Sequence, residues 1–138
     1  MNHYKSNAPR ISGHDYYNIE RTARQSYNII ARQTKRQPYI RSKYFKNSKI
    51  FIKPFWEHLF QKSPGDRKRR LRYYNCAIDL LRNTTHAPET KPSPKSKQEI
   101  LHRFYGITNN QEQFIVQVKE NTRTNTKTFM SIFPKNMK

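Results

Sequence analysis

The chain has 138 residues and carries 28 Lys and Arg against 9 Asp and Glu, a formal net charge of +19. That length suits one modest domain with a tail. No apolar run approaches the roughly 20 residues of a membrane span, so a multidomain or membrane-spanning protein is excluded. One cysteine, Cys76, rules out an intramolecular disulfide framework and a cysteine-rich zinc site.

The opening segment, MNHYKSNAPR, has no apolar stretch of secretory type, which points to a cytoplasmic protein with a polyanionic partner. Residues 1–48 hold 6 of the 27 Leu, Ile, Val and Phe but 10 of the 28 basic residues. This imbalance reads as a basic arm, weakly packed or conditionally ordered, ahead of a compact domain over 49–138. Residues 19–30 suit one short helix with a thin apolar face. Residues 49–53, KIFIK, suit a short strand or an extended entry.

Pro54 fits the first turn of a helix continued by FWEHLFQK, with Phe55 and Leu59 on one side. Ser63-Pro64-Gly65 ends it, and Asp66 is placed to cap a second, longer helix over 67–83. Leu71, Tyr74, Ile78 and Leu81 form its stripe, with Cys76 as a packing residue. Residues 86–98, rich in Pro, Lys and Ser, read as an exposed linker. Strand-like runs follow at 99–106, 113–120 and 127–134. Their short polar connections predict an antiparallel meander. The expected fold class is α+β, two N-terminal helices packed on a small antiparallel sheet of three to four strands.

The usual strong signatures are missing: no Walker loop, no GxGxxG, no HExxH. The five His show no ligand spacing and the nine acidic residues form no obvious pair, so neither a metal nor a cofactor is expected. What stands out is a polar strand face with Arg103, Tyr105, Lys119 and Ser131. Such groups could grip a phosphodiester and stabilise charge while an RNA 2′-hydroxyl attacks it. A merely solvated strand face would carry the same residues. His102 between apolar neighbours reads as a satisfied structural residue, and His58, off the apolar helix face, as a surface one.

The run Arg67, Lys68, Arg69, Arg70 and Arg72 would open the long helix, where positive charge opposes the macrodipole at up to about 1 kcal/mol per residue. A bound anion would compensate. Tyr and Arg are interleaved through the arm, where Arg32, Lys35, Arg36 and Arg41 belong to a mixture suited to single-stranded RNA.

The segment FWEHLFQKSPGDRKRRLRYYNCAIDLLRN, followed by HRFYGIT, FIVQVKE and KTFMSIFP, resembles the Barnase–EndoU–colicin–RelE class of ribonucleases, particularly its small phage- and plasmid-associated members. The resemblance covers residues 49–134. It implies helices packed on a four-stranded antiparallel sheet, metal-independent RNA cleavage, often as a toxin, and site residues Arg103, Lys119, Thr128 and Ser131. Thr128 and Ser131 have opposite parity, so a regular strand aims only one of them at a common site. Three readings follow. The protein is an endoribonuclease, a toxin or mobile-element effector; or a non-catalytic nucleic-acid-binding accessory; or a partner of an acidic protein such as an antitoxin or immunity protein.

Overall fold

The computed structural model describes residues 2–135. In chain order the elements are β1 (Tyr4–Lys5), α1 (Tyr16–Arg32), β2 (Tyr39–Ser42), β3 (Ser48–Phe51), α2 (Lys53–Leu59), α3 (Pro64–Leu71), α4 (Tyr74–Asn83), β4 (Glu89–Pro92), β5 (Glu99–Ile107), β6 (Gln113–Asn121) and β7 (Lys127–Pro134). The strands join in one mixed sheet of order β1-β5-β6-β7-β3-β2, with β4 also paired to β5. The sheet curls into a half-barrel.

This corrects the expected fold class. The antiparallel meander of β5, β6 and β7 is present. It forms the middle of a seven-stranded mixed sheet accompanied by four helices, and a strand precedes the first of them. Of the additional strands β3 overlaps the KIFIK run, expected as a short strand or extended entry, while β1, β2 and β4 come from segments whose composition gave no strand signal. β1 pairs in parallel with β5, and β3 pairs in parallel with β7. β4 lies inside the Pro-rich stretch and pairs antiparallel with β5.

The single helix expected over 67–83 is two, since Arg72 and Tyr73 separate α3 from α4. The α3 cap is Ser63, whose hydroxyl accepts from the Asp66 amide. Lys68, Arg69 and Arg70 therefore stand in the last turn of α3. There they face the negative end of the helix dipole and stabilise it, and the argument for a compensating anion lapses.

The first 48 residues, which composition reads as an arm, supply β1, α1 and β2. Asp15 caps α1 by accepting from the Tyr17 amide at 3.0 Å, and Ile19, Ala23 and Ile30 line its buried stripe. Ile11, Ile19, Ala23, Ile30 and Ile40 belong to the same core cluster as Phe55, Tyr74 and Phe129. The Tyr4 hydroxyl and the Asn7 amide both donate to Asp79 on α4, at 2.8 and 2.9 Å. Burial and that carboxylate push the Tyr4 phenol up to about 12. Few apolar residues suffice here because Ile11, Ile19, Ile30 and Ile40 are all buried, with only Ile29 exposed among the six of this kind.

On the inner face Phe55 stacks on Phe129 with centroids 4.4 Å apart, anchoring α2 to β7. Burying rings of this size contributes about 2–3 kcal/mol each. Beside this core, His102 lies 2.8 Å from Glu120 through Nε2 and 2.9 Å from the Thr90 hydroxyl through Nδ1. The Glu120 carboxylate also meets the buried Lys127 ammonium at 3.5 Å. His102 is thus a satisfied inner-face residue.

Candidate nucleic-acid interface

Alternation along β5, β6 and β7 sends one set of side chains into the core and the other outward. The register aligns the outward set in rows across the strands. Arg103 faces Gln117, and Gln117 faces Ser131. Leu101, Lys119 and Thr128 form the next row, and Tyr105, Ile115 and Phe133 another. The five residues expected to be catalytic therefore share one face.

A bulge makes that possible. The pairing shifts between Gln117 and Val118, so that Gln117 opposes Ser131 while Val118 opposes Phe129, leaving Met130 without a partner. One extra residue reverses the alternation beyond it. Thr128 and Ser131, of opposite parity in the sequence, both land on the outer face. The Thr128 hydroxyl lies 3.6 Å from the Met130 sulfur.

At the centre of this face two guanidinium groups flank one ring. Arg103 lies 5.3 Å from the Phe133 centroid and Arg70 lies 5.1 Å from it. Arg103 Nε donates to Gln117 Oε1 at 3.1 Å. Arg70 reaches across from α3, donating through Nη1 to the Ser131 hydroxyl and the Ile132 carbonyl, both at 2.8 Å, with Nε paired to Asp66 at 3.1 Å. Arg70 is 7% exposed and Ser131 3%. Ser131 consequently holds Arg70 in place and lies beneath the surface a ligand would touch.

The other expected residues are more open. Lys119 Nζ lies 3.4 Å from Glu99, and the Thr128 hydroxyl donates to the Lys119 carbonyl at 3.4 Å. Tyr105 donates to Glu89 at 3.1 Å. Burial and that carboxylate raise its pKa, so the phenol keeps its proton at neutral pH.

His58, set aside as a surface residue, is half-buried on α2 beside the buried Phe55, Trp56 and Leu59. Burial lowers its pKa first, and Lys62, Lys95, Arg70 and Lys119 lower it further. Its imidazole is therefore neutral at physiological pH. Periodicity along α2 could not reveal this, because three of the four cations arrive from α3, β6 and the turn after β4.

The basic run divides. Arg67 donates through Nε to the Lys62 carbonyl and through Nη2 to the Phe60 carbonyl, both at 2.8 Å, closing the end of α2. Arg72 donates to the Ile11 carbonyl at 3.4 Å. Arg69 is exposed and Lys68 half-buried. Arg32, Lys35 and Arg36 are exposed at and beyond the end of α1, and Arg41 is exposed on β2. Among the described residues no helix is long and apolar enough to cross a membrane. No family model matches the chain, and no curated protein or solved structure is significantly similar to it.

Proposed function

We propose that the protein is an endoribonuclease acting at the outer face of its sheet, with its own cations in the place a metal ion takes in other nucleases. The supporting observation is that Arg103 and Lys119 share the outer strand face, where Arg70 meets Arg103 across Phe133, and that Arg70 and Lys119 are among the cations that oppose protonation of His58. Cleavage by the RNA's own 2′-hydroxyl needs a proton acceptor, and a neutral imidazole is one. Negative charge builds on the phosphorane as the 2′-oxygen attacks and the 5′-oxygen leaves. Arg103 and Lys119 would stabilise it in a site with fixed donors, while Arg70 is preset by Ser131, Ile132 and Asp66. Thr128 beside Lys119 would position the phosphate. The substrate sets the action in the cytoplasm, and the net charge of +19 would also suit capture by an acidic inhibitor protein.

Labelled RNA incubated with the protein in EDTA is expected to be cut to products ending in 2′,3′-cyclic phosphate. An Arg103→Ala, Lys119→Ala variant should lose at least about a hundredfold in rate. Full rate in that variant refutes the site. A second reading, a non-catalytic nucleic-acid-binding accessory, draws on the hydroxyls of Tyr105 and Thr128, which already donate within the protein. RNA bound but not cut under every condition would establish it.

A further inference from the structure

The β2–β3 hairpin extends the same outer face beyond the candidate centre. Tyr39 pairs with Phe51, and Arg41 with Lys49, so these four side chains lie on one side of the ribbon. The rings of Tyr39 and Phe51 meet edge to face at 6.3 Å and both stay half-exposed. Lys49 Nζ lies 4.6 Å from the Tyr39 centroid and the Arg41 guanidinium 5.5 Å from it. Residues 39–51 contain Arg41, Lys43, Lys46 and Lys49 and no acidic residue. Among the described residues none of these four cations has a salt-bridge partner.

Register ties this ribbon to the centre. Phe51 opposes Thr128, and Thr128 opposes Lys119. With strands about 4.8 Å apart, the row from Lys119 through Thr128 and Phe51 to Tyr39 spans about 14 Å, the reach of a few nucleotides. Half-exposed rings flanked by unpaired cations present what an unpaired base and its phosphate need: a face to stack on and a charge beside it. A duplex has its bases already stacked and offers such a surface only its phosphates.

We infer that the β2–β3 hairpin is a docking track for single-stranded nucleic acid, with Tyr39 and Phe51 stacking bases and Arg41 and Lys49 holding the backbone, so that the substrate class is unpaired RNA. This rests on the reading that the outer face takes a nucleic acid, but it does not require cleavage.

The test measures binding of a short fluorescent 2′-O-methyl oligouridylate, which has no 2′-hydroxyl to attack, and of a duplex of equal length. The full-length wild type is compared with Tyr39→Leu, Tyr39→Phe and an Arg41→Gln, Lys49→Gln variant. Tyr39→Leu is expected to lose about tenfold on the single strand and less than about twofold on the duplex, whereas Tyr39→Phe keeps wild-type affinity. The charge variant should bind the single strand with a shallower salt dependence, by about 1.4 in slope at most. Because both its substitutions are exposed, it carries the test if Tyr39→Leu does not fold. Equal losses on single strand and duplex, unchanged affinity in the variants, or no binding of the single strand at low salt overturn the inference. Hairpin variants that lose single-strand binding in a protein that cuts no RNA leave the track standing and remove the ribonuclease. Cleavage of RNA with the hairpin variants unimpaired does the reverse.

Discussion

Arg70 is the residue whose two possible roles separate most sharply by experiment. As part of a basic run it reads as a phosphate ligand, yet in the structure the residue is 7% exposed and its guanidinium is held by Ser131, Ile132 and Asp66. Replacing it with Met keeps most of the volume and removes the donors. Nη1 makes two bonds of 2.8 Å, to the Ser131 hydroxyl and the Ile132 carbonyl, and bonds from a charged donor contribute about 1.5–3 kcal/mol each. The Asp66 pair adds little, because that carboxylate is 21% exposed and water takes over its solvation. Met recovers part of the loss through apolar contact with Phe133. The expected cost is about 3 kcal/mol, the lower end for two such bonds. Urea unfolding followed by circular dichroism reads this as a lowered midpoint with unchanged slope. Arg69→Met, at the exposed neighbour, should stay within about 0.5 kcal/mol of wild type. A cost below about 1 kcal/mol for Arg70→Met, or equal costs for the two variants, refutes the reasoning.

Gly106 opposes Phe114 in the β5–β6 ladder, and a Cβ there would collide with the Phe114 ring and come within 2.8 Å of Leu80 Cδ1. Gly106→Ala is expected to cost about 3 kcal/mol in the same unfolding assay, since both neighbours are fully buried. Glu120→Ala would leave the buried Lys127 ammonium without its carboxylate and His102 without its 2.8 Å partner. A loss of about 3 kcal/mol is expected, and Glu120→Ala, Lys127→Met should recover part of it. His58 has a folded-state pKa below 6.5, so on acidification the unfolded chain takes up its proton first. Stability from this group is therefore present above pH 6.5 and falls as pH drops through the window below it. His58→Gln should flatten that part of the stability profile, and an NMR titration placing His58 above 6.5 contradicts the assignment.

The meander was legible because each of its strands alternates and is bounded by polar turns: Phe114, Val116 and Val118 are all fully buried. Of its partners only β3, overlapping KIFIK, was. β1 is two residues long and β4 contains Pro92, so neither carries a pattern, and both exist because β5 offers them an edge. Composition undervalued the first 48 residues for a related reason. It counts apolar residues without weighing position, and Ile19 and Ala23, one turn apart on α1, are both fully buried. The break between α3 and α4 was hidden because Leu71, Tyr74, Ile78 and Leu81 keep helical spacing across it.

The candidate site shows why local spacing stops short of chemistry. Strict alternation forbids Thr128 and Ser131 from sharing a face, and applied to β7 it would also put Phe129 and Ile132 on opposite sides. Both of those are fully buried. Two apolar residues three apart, each needing the core, cannot be satisfied by a regular strand. The bulge at Met130 resolves the conflict. The requirement comes from packing, with Phe129 stacked on Phe55 and Ile132 opposite Val116. The functional face is its by-product: once the core claims Phe129 and Ile132, Thr128 and Ser131 are left on the outside. Ser131 can then receive Arg70 from α3, and Arg70 joins Arg103 across Phe133. Deleting Met130 would test that order of cause, for it removes the extra residue and leaves Phe129, Ser131 and Ile132 to alternate regularly against Val118, Gln117 and Val116. The expected outcome is a folded variant whose stability changes by at most about 2 kcal/mol, and a deletion variant that does not fold would show that the bulge itself, and not the core's claim on Phe129 and Ile132, sets the strand.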